Sequence, residues 1–280
     1  MRHTIRHTIL AAFAFVTCLP AMPANAEPDS KPVIELKTRA AEISVTIDDK
    51  LKAYAGLAAD LLAEGRRFAD KARAEAEADF KSHPGDFRGD KRWTYDRVYT
   101  FRSFVADRYV SLLRDDGTYA GGAHPNSNTD TILWDVTAKK RISVRPFFNE
   151  TADNGPTLTA LTKLVRRAVA VEKVVRMKDA APDDEKNKPQ PSADELAQKD
   201  DWILRGVLPQ LLKIGPISLA PSTVAGKSSG LTFHFSAYAV DAYAAGPYTV
   251  FVPWTALRPY LSAEGAAIFG GDRPKSDEEQ

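Results

Sequence analysis

Cysteine is all but absent from this chain of 280 residues, Cys18 being the only one. It falls in an amino-terminal stretch that reads as a leader, so the remainder can form no disulfide, cysteine nucleophile or thiolate metal site. Histidine is nearly as scarce. His3 and His7 belong to the leader, leaving His83, His124 and His234, no two of which share a helix-type spacing. No metal site is expected from that inventory. Charge of one sign is missing too: 38 Lys and Arg meet 37 Asp and Glu, which offers no basic stripe for nucleic acid or a membrane surface. Gly-x-Ser-x-Gly, a Walker loop and a dinucleotide fingerprint are all absent, so neither a catalytic residue nor a cofactor is assigned.

What is present begins with the leader. Met1 to Ala26 carries Arg2 and Arg6, an apolar run from Ile9 to Leu19, and Ala24-Asn25-Ala26 before Glu27, the three parts of a secretory signal. The apolar run falls short of the ~20 residues that span a bilayer, and Thr17 before Cys18 fits a lipoprotein signal poorly. Cleavage near Ala26 and a periplasmic or secreted life without a transmembrane segment are the expectation.

From Glu27 to about residue 270 the pattern predicts one domain. Val33 to Ile47 alternates as strand, and Leu51, Tyr54, Ala58, Leu61, Phe68, Ala72, Ala76 and Phe80 lay one apolar stripe on a long helix that Gly65 is expected to kink. Arg92 to Leu113 has strand composition with a turn near Ala106-Asp107. Asp115-Asp116-Gly117 opens a loop through Asn126, and Thr129 to Val144 forms a hairpin. Pro156 starts a helix. A charged, proline-bearing stretch at about 178–199 reads as a flexible insertion, and 271–280 as a disordered tail. A helix over Asp201 to Leu212 and strands at Ile217–Leu219, Leu231–Tyr238 and Tyr248–Val252 follow. His234 is expected on the polar face of the second. Strands and helices in blocks predict an α+β fold, a mostly antiparallel sheet with helices on one face.

Two stretches stand out as binding candidates. Tyr119-Ala120-Gly121-Gly122-Ala123-His124-Pro125-Asn126 holds an imidazole beside backbone freed by two glycines. Architecture is the competing account, with Gly121 and Gly122 making a crossover that His124 locks. Tyr238 to Tyr248 places three tyrosines among small residues, either as a stacking surface or as a core strand and turn. Within it Asp241, Tyr243 and Gly246 are candidates, Asp241 with a turn-capping alternative.

These two stretches, with Asp135-Val136-Thr137, Pro146-Phe147-Phe148 and Phe233, resemble the domain of unknown function 3298, the extracytoplasmic module of RsiV- and PdaC-like proteins. The resemblance runs from about Ile43 to Leu261. Asp241-Ala242-Tyr243 departs from the Ala-Pro-Tyr that family members often show there. The resemblance implies an α+β envelope domain with a recognition role, and implies no deacetylation, because that chemistry sits in a separate domain. The expectation is a non-enzymatic binding protein whose partner is a lysozyme-like protein or a peptidoglycan fragment. An envelope polysaccharide hydrolase using His124 and a carboxylate, or a structural envelope protein, are the alternatives.

Overall fold

The computed structural model describes residues 30–182 and 189–278. The expected signal peptide, the middle of the expected insertion and the last two residues lie outside them. The chain opens with a hairpin, β1 (Pro32–Lys37) and β2 (Ala41–Ile47). A single turn, α1 (Asp49–Lys52), is capped by Asp48, and α2 (Ala55–Ser82) follows. Then come β3 (Trp93–Val105), β4 (Tyr109–Tyr119), β5 (Asn126–Asp135) and β6 (Lys140–Ile142), completing a six-stranded sheet in sequence order. Only β2 and β3 are parallel, joined across the sheet by α2.

The helix lies along one face because its small residues let it approach. Leu57, Leu61, Gly65, Ala69, Ala72 and Ala76 are buried against the sheet. Gly65 does not kink α2, which runs unbroken. A Cβ there would sit 2.8 Å from Val45 Cγ1, so glycine marks the closest helix-to-strand contact instead. Between α2 and the strands lies a layer of ions in which Glu64 meets Arg114 at 2.6 Å and Arg141 at 2.7 Å and accepts from Tyr99 Oη at 3.0 Å. Burial works against the Glu64 carboxylate, yet Arg141, Arg114 and the Tyr99 hydroxyl hold it at about 2.

Ala106 and Asp107 turn β3 into β4 with φ of 52° and 48°, in the expected place. Asp115-Asp116-Gly117 is not the start of a loop. These residues continue β4, because Asp116 pairs with Arg97 on the same sheet face at 2.6 Å and Asp115 accepts from Thr129 Oγ1 on β5 at 2.6 Å.

The second half packs α3 (Pro156–Ala180), α4 (Ala193–Lys199) and α5 (Asp201–Gly206) with a three-stranded antiparallel sheet of β7 (Ile217–Leu219), β8 (Gly230–Phe235) and β9 (Tyr248–Pro253). Short helices α6 (Trp254–Leu257), α7 (Ala263–Ile268) and α8 (Lys275–Glu278) close the chain. The architecture is α+β, as the block pattern implied. Leu158, Leu161, Val165 and Val169 of α3 meet Leu231, Phe233, Tyr248 and Val250 in one core.

Several expectations change here. Residues 178–199 were expected to lack structure, but α3 reaches Ala180 and α4 begins at a Ser192 cap whose Oγ accepts from Glu195 N at 3.1 Å. Leu196 and Ala197 then rest on the core. The helix expected to reach Leu212 stops at Gly206, where a Cβ would collide with the carbonyl of Ala239. In the tail, Asp277 is buried between Arg102 and Arg273, at 2.5 and 2.6 Å.

His234 is the largest correction. The whole of β8 is buried and His234 is 4 % exposed, because its polar face closes on the large sheet instead of water. Ser103 Oγ donates to Leu219 O at 2.7 Å, Leu219 N to Ser111 Oγ at 3.0 Å, and Ile217 N to Thr131 Oγ1 at 3.0 Å. Hydroxyls thus stitch the two sheets together where a polar strand face predicted solvent. His234 Nε2 lies 2.8 Å from Ser218 Oγ in that seam.

Candidate functional site

The loop from Ala120 to Pro125 joins β4 to β5 at one end of the large sheet. Gly121 and Gly122 take φ of 80° and 96°, a left-handed pair that side-chain-bearing residues resist. The reversal throws His124 across to the β8–β9 connection. There its ring stacks on Tyr243, centroids 3.8 Å apart and planes 22° from parallel. Tyr238 completes the group, 5.3 Å from Tyr243 and 6.5 Å from His124.

Hydrogen bonds hold the stack in place. Tyr243 Oη donates to Pro125 O at 2.8 Å, linking positions 118 apart. His124 Nδ1 lies 3.0 Å from the same carbonyl, and since a carbonyl only accepts, the proton of that contact belongs to Nδ1. Tyr119 Oη donates to Gly122 O at 3.2 Å. Beside the stack, Thr94, Asp96, Tyr119, Asn126 and Tyr243 line a shallow hollow of about 180 Å³.

Of the residues singled out from the sequence, the fold gathers Tyr119, Gly121, Gly122, His124, Asn126 and Tyr243 at one place. Asp241 and Gly246 go elsewhere. Asp241 turns inward, where its Oδ2 meets Lys173 Nζ at 3.1 Å and accepts from Tyr248 Oη at 2.6 Å, while Lys173 also pairs with Asp200 at 2.8 Å. Burial opposes its charge, but the Tyr248 hydroxyl, the Ala242 amide and Lys173 keep the carboxyl below the usual range. It locks the β8–β9 connection to α3 and faces no ligand surface. Gly246 ends a 3-10 turn over Tyr243–Ala245 with φ of 71°, a backbone requirement and no contact.

Tyr238 was part of the tyrosine-rich stretch but not among the residues singled out individually. It is 51 % exposed and holds φ of 71°, a conformation that costs a bulky side chain on the order of 1–3 kcal/mol. No sequence pattern announces a left-handed tyrosine. The hollow's Thr94 and Asp96 were also missed, although their alternation with buried Tyr95 and Arg97 along β3 put them on one face.

What this arrangement can do is bind. Flat faces with polar edges at a half-open rim suit ring stacking and hydrogen bonding together. Nothing in it resembles an acid–base pair, for among the described residues no carboxylate bonds to His124, and no three His, Cys, Asp or Glu side chains gather as a metal site. Nor is any described helix long and apolar enough to cross a membrane.

A model of a protein family of unknown function, DUF3298, matches residues 151–255. Asp241, Tyr243 and Gly246 fall inside that match, whereas Tyr119 to Asn126 precede it. Among solved structures, a DUF3298 family member from Bacteroides fragilis aligns with a TM-score of 0.50 at 15% identity, over 85% of this chain and 94% of its own. A DUF3298 family protein from Pseudomonas aeruginosa aligns with a TM-score of 0.46 at 15% identity, over 82% and 87%. No curated protein matches the sequence. The matched segment, which is similar to the DUF3298 family, spans α3 through the start of α6, the part of the fold that supplies the three-stranded sheet and two of the stacked rings.

Proposed function

We propose that this chain is an exported, non-enzymatic binding protein of the cell envelope, and that His124, Tyr238 and Tyr243 form its recognition platform. The observation that carries the reading is the stack itself. Two segments that share no secondary structure are brought together to display three rings at the surface, one of them on strained backbone. A core cluster would have been buried, and a turn would not need a tyrosine at positive φ. The leader sequence supports export. Rings with polar edges suit the faces of a sugar, and tyrosine is also favoured in protein interfaces, so the ligand is a cell-wall glycan or a lysozyme-like protein that handles one.

The test is titration of Glu27–Gln280 with peptidoglycan fragments and with a panel of lysozymes. Saturable binding that Tyr243→Ala weakens by about tenfold, with the fold intact by circular dichroism, is the expected result, since an aromatic stack contributes ~0.5–1.5 kcal/mol. Turnover of a glycan, lost in His124→Ala, would replace this reading with a hydrolase. Absence of both binding and turnover would leave a structural envelope protein.

A further inference from the structure

Arg97 and Asp116 lie on the face of the large sheet that meets α2, so by strand alternation Asp96 and Gly117 lie on the opposite face. The three-stranded sheet covers part of that face, where Leu219 N donates to Ser111 Oγ at 3.0 Å and Ile217 N to Thr131 Oγ1 at 3.0 Å. It does not reach the row in which Asp96, Gly117 and Ser127 stand abreast across β3, β4 and β5. With Thr94, Tyr119 and Tyr243, that row bounds the hollow of about 180 Å³ beside the ring stack.

Gly117 makes the hollow. It continues β4 without a left-handed φ, and a Cβ there would stand 3.8 Å from Asp96 Cβ, an ordinary contact, so neither backbone nor crowding demands glycine. A glycine inside a strand weakens it, and one common reason for its presence is close approach by a ligand. What the missing side chain leaves is room in front of the Asp96 carboxylate, whose Oδ2 would lie 3.9 Å from that Cβ. Asp96 Oδ1 accepts from Ser44 Oγ at 2.7 Å, while Oδ2 has no hydrogen-bond partner among the described residues. The aromatic walls are set in advance. Tyr119 Oη donates to Gly122 O and Tyr243 Oη to Pro125 O, so both rings are tethered to the loop before a ligand arrives.

We propose that the hollow is a subsite for one neutral pyranose ring of a glycan, with ring hydroxyls donating to Asp96, Thr94 and Ser127 bonding its other oxygens, and Tyr119 and Tyr243 against its apolar faces. This rests on the binding reading above and narrows its ligand to the glycan. A carboxylate only accepts, so it takes hydroxyl donors in strong charge-assisted bonds and repels phosphate or carboxylate groups. The hydroxyls around it carry no charge, which matches a polyol and not a salt. At about 180 Å³ the hollow is smaller than the ~300–1,000 Å³ of a site for a whole drug-sized ligand, so it holds one ring and leaves the next unit to the stacked rings outside.

The experiment titrates Glu27–Gln280 with the neutral tetrasaccharide of N-acetylglucosamine, with its cationic glucosamine counterpart, and with lysozyme. Gly117→Val fills the hollow with a side chain that strands favour, so thermal unfolding is expected to be no lower than in wild type while the neutral tetrasaccharide binds at least about tenfold more weakly. Asp96→Ala, at an exposed position, is expected to weaken it as much and reads the site independently of any change in folding. Wild-type affinity in either variant overturns the proposal, and so does tighter binding of the glucosamine tetrasaccharide, which would make the hollow a cation site. Tyr238 belongs to the ring platform and not to the hollow. Weaker binding in Tyr238→Ala with none lost in Gly117→Val therefore overturns the subsite and leaves the platform. Binding of lysozyme without the tetrasaccharide also overturns the subsite alone, and binding of neither overturns both readings.

Discussion

His124 and His234 begin as the same side chain and end in opposite environments. At the rim, half-buried His124 lies against Tyr243 with Tyr238 nearby. In the seam between the two sheets, His234 is enclosed, bonded to Ser218 and within the field of Arg102 and Arg273. The rim spends backbone strain to display rings, as Tyr238 shows. The seam encloses its polar groups, and His234 there is held by Ser218 with no access to a ligand. Residue type is therefore a poor guide to environment here, and position relative to the second sheet decides it.

That contrast can be broken in several ways. The largest effect belongs to the seam. Burial, followed by the charges of Arg102 and Arg273, pushes the His234 imidazolium down to about 3 from an ordinary 6.5. A depressed folded-state value means that the unfolded chain takes up the proton first. Stability is then complete above pH 6.5 and falls as the pH drops toward 3, by on the order of 4–5 kcal/mol. Urea unfolding across that window checks this, and His234→Gln should flatten the slope. An equal slope in the variant would remove His234 from the account.

Next comes Gly206→Ala, which drives a methyl into the Ala239 carbonyl directly beneath Tyr238. A loss of about 3 kcal/mol is expected in thermal or urea unfolding, with ring-platform binding reduced as Tyr238 shifts. Asp241→Asn should cost about 1–3 kcal/mol by weakening the Lys173 contact and the Tyr248 hydrogen bond. Because the Asp241 carboxyl sits below its usual range, the wild-type contribution is present above pH ~3.9 and disappears as the pH falls through the lowered value. The variant should lack that acid component while keeping its ligand.

The smallest stability effects belong to the rim. Tyr243→Ala is expected to change unfolding free energy by less than about 1 kcal/mol while weakening ligand binding about tenfold. Tyr238→Asn should raise stability by up to ~1 kcal/mol, since asparagine tolerates the left-handed conformation, yet bind less. A tyrosine substitution that destabilised the fold by several kcal/mol would show the rings to be core packing after all.

Much of the fold was legible because strand and helix periodicities are local. The apolar stripe from Leu51 to Phe80, the turn at Ala106-Asp107 and the helix start at Pro156 are each written within a few residues. The candidate site was half legible. Gly121, Gly122 and His124 announced an unusual turn, and the tyrosines announced a surface or a core without saying which. Asp241 looked as exposed as its neighbours, since nothing near it in sequence reveals Lys173 and Asp200.

What the amino-acid order determined alone was most of the strands and long helices and the left-handed glycine loop, all consequences of residue type and short-range sterics. Tertiary structure decided the rest. It joined Ser103 and Ser111 of the large sheet to Leu219 of β7, buried His234 in the seam, and set His124 on a tyrosine more than a hundred positions away. Burial and pairing depend on which surfaces meet, and that is a property of the packed layers that no local pattern carries.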